Sequence, residues 1–110
     1  MNISIQGVHM DLTDAIKQHA QDKMQGLEKF LKNPDAVECA IEVGKTSAHH
    51  QKGPIYFCEV HLVIPGEENI RAREVTQDLY VSIDIVRKEL QRQLVDAKEK
   101  RIERERQNKG

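Results

Sequence analysis

The chain has 110 residues, 38% apolar and 32% charged, which allows one domain with a lean core and excludes two. No apolar run is long enough to cross a membrane as a helix, the N-terminal MNISIQG has no secretory pattern, and two cysteines cannot make a disulfide framework. A cytoplasmic protein with no membrane partner is expected. The net charge of −1 hides an asymmetry: residues 1–86 hold 8 Lys/Arg against 13 Asp/Glu, a net of −5, while residues 87–110 hold 9 against 5, a net of +4.

The elements follow in order. Asn2 to Gly7 alternates, with Ile3 and Ile5 on one side, and predicts a half-buried strand. Thr13 is a plausible N-cap, with Asp14 in the first turn of a helix. That helix is expected from about Asp14 to Leu31, its apolar face Ile16, Ala20, Met24, Leu27 and Leu31, ended by Asn33-Pro34. Lys17 and Lys23 flank the face on opposite sides. Ala36 to Gly44 alternates again, with Val37, Cys39, Ile41 and Val43 inward. A polar loop, Lys45 to Pro54, leads to a third strand over Ile55 to Ile64. Pro65-Gly66-Glu67-Glu68-Asn69 turns into a fourth over Ile70 to Glu74, so the last two strands form a hairpin. Thr76 and Asp78 open the final helix.

That helix is the longest element. From Asp78 to Arg106 there is no Gly or Pro, and Leu79, Ile83, Val86, Leu90, Leu94 and Ala97 form one stripe at spacings of three and four. About 30 residues at 1.5 Å each reach roughly 45 Å, more than the ~30 Å of a small domain, so the last turns should project. The order β-α-β-β-β-α, with one apolar face per strand, predicts an α+β two-layer sandwich. A four-stranded sheet carries both helices on one face, and the first two strands are parallel through a right-handed crossover.

Catalytic patterns are missing. There is no phosphate-binding glycine loop and no nucleophile elbow, so no cofactor and no small-molecule substrate are expected. A metal site is not expected either: Cys58 and His61 are three apart on a strand and face opposite ways, and His49 and His50 sit in a loop. Asp84 is the one carboxylate beside the long helix's apolar stripe, near Tyr80 and Arg87, and reads best as the partner of a nearby Lys or backbone group.

The basic side chains are the more informative feature. Arg87 and Lys98 lie on one flank of the stripe, with Tyr80 and Gln91 between them. Lys100 lies on the other flank, and Lys88 and Arg92 point further out. Such a surface can follow phosphates. It can equally be a solvated face held by i,i+4 pairs such as Asp96–Lys100 and Arg101–Glu105. Of the aromatics only Phe57 could present a ring on the sheet's open face, which favours structured RNA contacted through its backbone over unpaired bases.

MNISIQG, MDLTDAI, Lys23 followed by LEKF, and DLYVSIDIVRKELQRQL, taken with the element order, resemble the short ribosome hibernation-promoting factors. The same family includes the ribosome-associated translation inhibitors, once called sigma-54 modulation proteins. The resemblance runs from Asn2 to about Lys100. It implies a non-enzymatic protein, monomeric away from the ribosome, that occupies the messenger and transfer RNA channel of the small ribosomal subunit through helix lysines and arginines on rRNA. By position it implies roles for Lys17, Lys23, Arg92, Lys98 and Lys100; Arg87 and Lys88 join them where Gly26, Glu89 and Asp96 replace basic residues common in relatives. Tyr80 and Asp84 match a polar-aromatic pair with a partly structural role. A ribosome-binding domain over 1–100 and a charged helical tail over 101–110 are expected, acting on single ribosomes, with the Lys45–Pro54 loop adding a phosphate contact. The alternative is a protein-interaction module that docks a partner protein through the charged C-terminal helix.

Overall fold

The computed structural model describes residues 1–49 and 52–108. Four strands, β1 (Asn2–Val8), β2 (Glu38–Lys45), β3 (Tyr56–Val63) and β4 (Ile70–Thr76), form one sheet in the order β1-β2-β3-β4. Helices α1 (Asp14–Gln25) and α2 (Leu79–Gln107) complete the expected β-α-β-β-β-α order. β1 pairs parallel with β2, as a crossover through a helix requires, and the later pairs are antiparallel. In the β3–β4 turn Glu67 N–H donates to Ile64 O (3.1 Å), and Gly66 supplies φ +78°, which a type II turn needs after Pro65.

One face of the sheet is covered. Cys39, Ile41, Val43, Cys58, Val60 and Leu62 meet Ala20, Met24, Ile83, Val86 and Leu90 in a single core. Each large apolar side chain removed from water there contributes about 1.5–3 kcal/mol. The expected α2 stripe is the buried stripe of the helix through Leu94. Its start is fixed by Asp78, whose carboxylate accepts Tyr80 N–H (2.9 Å). One turn on, the fully buried Ser82 hydroxyl donates to Tyr56 O (2.8 Å), tying α2 to β3. The Cα trace measures 59 × 25 × 17 Å, and its length comes from α2 running past the sheet. Among the described residues the ion pair furthest along this projection joins Arg101 to Glu67 (2.5 Å).

Two expectations about local structure need correction. The first helix does not reach Leu31: it stops at Gln25, with Gly26 as C-cap, and a separate 3-10 turn spans Glu28–Phe30. Gly26, a weak helix former, stands at that end, and Arg87 donates to the carbonyls there, as described below. Phe57 is on the open face, opposite to Cys58, but it is buried with the Arg73 guanidinium 4.4 Å from its ring centre, so it offers no stacking platform.

Candidate nucleic-acid interface

α1 and α2 lie side by side and run the same way, because rising positions on one meet rising positions on the other: His19 with Asp84, then Lys23 and Gly26 with Arg87. The groove between them collects His19, Lys23, Tyr80, Asp84 and Arg87. A carboxylate can only accept, so His19 Nε2–H donates to Asp84 Oδ1 (2.9 Å). Lys23 Nζ is 3.7 Å from the same oxygen. The His19 ring meets the Tyr80 ring edge-on, with centroids 4.9 Å apart. Asp84 is therefore the partner of a lysine, as expected, and also of a histidine.

Arg87 closes the end of α1. Its Nε donates to Lys23 O (3.0 Å), its Nη2 to Gly26 O (3.4 Å) and its Nη1 to Gln91 Oε1 (2.6 Å). Two carbonyls at the end of α1 thus gain a cationic donor, which suits the negative end of a helix. Gly26 leaves the room: a Cβ there would stand 3.3 Å from Lys23 O and 3.4 Å from Arg87 Nη2. Partial burial lowers the guanidinium pKa, but an arginine remains charged. Arg87 is a clamp between helices whose donors are largely committed.

The other cations divide into distinct surfaces. Arg92, on the outward face of α2, is held by two carboxylates: Nε and Nη2 bond Glu89 (3.0 and 2.6 Å), and Nη1 bonds Asp96 (2.8 Å). These bonds, with one from Gln93, lower the Glu89 carboxyl pKa to about 2. Asp96 therefore serves Arg92 and not Lys100, and Arg101 serves Glu67 and not Glu105, contrary to the i,i+4 pairs read from the sequence. Lys88, Lys98 and Lys100 are exposed and form no ion pair among the described residues. Lys98 lies on the α1 side of α2 and Lys100 on the β4 side, beside the β3–β4 turn. Lys17 stands about 120° around α1 from Lys23 at about 100° per residue, away from the groove.

The seven basic side chains singled out from sequence thus do not converge. Lys23 and Arg87 share the groove, Lys98 extends that side by three turns, Lys88 and Arg92 form the ridge, and Lys17 and Lys100 occupy separate flanks. Three groups of this region were missed. His19 could have been found from its spacing of four from Lys23. Lys29, in the 3-10 turn with Nζ 5.3 Å from the Phe30 ring centre, and Lys32 both follow the unforeseen end of α1.

The other chemistry is quiet. Cys39 and Cys58 are buried, unbonded and inward, and burial pushes both thiols up to about 12. His61 faces the other side of the sheet from Cys58. Among the described residues no three His, Cys, Asp or Glu side chains converge as a metal site would need. No described helix is long and apolar enough to cross a membrane. In the Lys45–Pro54 loop, His50 and Gln51 lie outside the described residues, as do Lys109 and Gly110 in the tail.

Known proteins resemble this chain in sequence and in fold. Residues 3–102 match the family model described as Sigma 54 modulation protein / S30EA ribosomal protein. The chain is 32% identical over 105 residues to a ribosome hibernation promoting factor of Azotobacter vinelandii, covering 96% of this chain and 90% of that one. It is 28% identical to a ribosome hibernation promotion factor of Lactococcus lactis over 86% of this chain, but spans only 48% of that relative. Against the chloroplastic ribosome-binding factor PSRP1 of Spinacia oleracea it is 30% identical and spans 36% of that protein. In three dimensions it resembles the N-terminal domain of Thermus thermophilus Protein Y, with a TM-score of 0.70 at 24% identity over 86% of this chain and 96% of that one. A ribosomal subunit interface protein from Coxiella burnetii gives 0.69 at 20% identity over 89% and 98%. These two likenesses speak for the fold, and the sequence matches speak for descent: the chain belongs to the Sigma 54 modulation protein / S30EA ribosomal protein family.

Proposed function

We propose that this protein is a cytoplasmic, non-enzymatic ribosome hibernation factor. It binds rRNA of the small subunit in the messenger and transfer RNA channel and silences the ribosome by occupancy. The observation that carries this reading is the family match across nearly the whole chain, with near full-length coverage of the Azotobacter vinelandii factor. The geometry supports it in a narrower form than the charge count suggests. Among the described residues Lys98, on the groove side of α2, and Lys88, on the ridge, are exposed cations with no ion pair, Lys23 is shared with Asp84, and Arg87 holds the two helices in place. Residues 1–100 carry the binding surface, and the projecting end of α2 is a mixed-charge tail. No step needs bond chemistry, because a body lodged in the channel excludes the RNA ligands that translation requires.

The test is co-sedimentation of the purified chain with small subunits at low salt, together with output from a cell-free translation reaction. Co-sedimentation with falling output is expected. No co-sedimentation at low salt overturns the reading, and an assembly that forms with a partner protein and survives ribonuclease replaces it with the protein-interaction alternative.

A further inference from the structure

Between α2 and the segment that follows α1 lies a cleft of about 320 Å3. It opens on the same side of α2 as the groove but about two to four turns beyond Arg87. Phe30, Leu31, Val37, Ile64, Leu94 and Ala97 make its lining apolar. Lys32, Asn33 and Lys98 stand at its exposed rim, and none of the three side chains has a hydrogen bond or ion pair among the described residues. The one acid in the lining, Glu67, is taken by Arg101, so Lys32 and Lys98 leave the rim with two uncompensated positive charges.

We propose that this cleft is a subsite for one unstacked nucleotide of single-stranded RNA. The base rests on the apolar lining, the phosphates on either side meet Lys32 and Lys98, and the Asn33 amide is within the rim to bond the base edge. The volume lies at the low end of the ~300–1,000 Å3 typical of ligand sites, which suits a single nucleotide and excludes a helix or a duplex. An aliphatic ligand would make no use of the two lysines and the amide at the rim, and a bare anion would have no use for the apolar floor. A base with its flanking phosphates uses both. The subsite rests on the RNA-binding reading above, and adds to a backbone-contacting surface a place where an unpaired base is held.

The experiment is an amide NMR titration of the full chain with a single-stranded RNA pentanucleotide and, separately, with a short RNA duplex carrying as many phosphates. The single strand should shift the amides of residues 30–33 and 94–98 saturably, whereas the duplex, which meets Lys98 only through its phosphates, should leave residues 30–33 in place. Ala97→Leu fills the floor and should weaken single-strand binding about tenfold or more, the scale of a lost base contact. Lys98→Glu and Asn33→Ala, both at exposed positions, should weaken it as well and carry the test if Ala97→Leu does not fold. Equal cleft shifts with the duplex, or wild-type affinity in the variants, overturn the subsite. Wild-type co-sedimentation with ribosomes but no cleft shifts removes the subsite and keeps the ribosome reading; cleft shifts without co-sedimentation do the reverse.

Discussion

The groove between α1 and α2 and the outward face of α2 are both rich in cations, yet they spend them differently. In the groove each charge has a partner from the other helix: Arg87 on the carbonyls of Lys23 and Gly26, Lys23 and His19 on Asp84. On the outward face the pairs are local, Arg92 with Glu89 and Asp96, and Lys88 has none among the described residues. Groove charges hold the two helices to one another, whereas ridge charges cost the fold little whether present or absent. A count of basic residues measures neither; what an RNA can use is the set of donors that folding has left unspent.

The largest expected effect separates the two regions by stability. Arg87→Ala removes the donors of two carbonyls at the end of α1 and should cost about 1–2 kcal/mol in denaturant unfolding. Lys88→Ala should stay within about 0.5 kcal/mol. Equal losses would erase the distinction. Next come ribosome affinities as a function of salt. Lys88→Ala and Lys98→Ala should each flatten the log–log salt dependence by about one unit. The pair Glu89→Gln with Asp96→Asn frees Arg92 and should steepen it by about as much; an unchanged slope would mean that Arg92 is not held back by its carboxylates. A smaller effect is expected at Asp84, which is 44% exposed. Asp84→Asn should lower stability by only about 0.2–1 kcal/mol, as for other solvated ion pairs.

The smallest effect is a titration. Glu89 has its pKa lowered to about 2 by the bonds from Arg92 and Gln93. A depressed carboxyl stabilises the folded state above its unfolded value, here 4.5, and that contribution is lost as pH falls towards 2. Carboxyl carbon NMR should find Glu89 titrating well below the other glutamates, with little change in thermal stability because the group is solvated. Titration near 4.5 would show that Arg92 is free after all.

The fold was legible because its two periods are clean. Alternation marked the strands, and the spacing of Leu79, Ile83, Val86, Leu90 and Leu94 marked the lid. The crossover rule then gave the parallel β1–β2 pair. The end of α1 was misplaced: Gly26 stood in the sequence as a stop signal, but the Arg87 donor that meets its carbonyl lies 61 residues later in the chain. The candidate interface was legible only as a list of cations. Which of them remain uncommitted depends on contacts such as His19 with Asp84, 65 residues apart, that no local pattern encodes. Helical spacing allowed both Asp96–Arg92 and Asp96–Lys100; the arginine can reach both neighbouring carboxylates at once, and it is the one that bonds.

The two cysteines turn the core into its own reporter. Cys39 and Cys58 sit on adjacent strands beneath the helices, and with pKa values of about 12 their thiols stay protonated at neutral pH. An alkylating reagent attacks the thiolate, so it finds nothing to react with until α1 and α2 lift from the sheet. The rate of thiol labelling is then a clock for global opening. It runs without any introduced probe, and it can be read on the protein alone or on the protein seated on its partner.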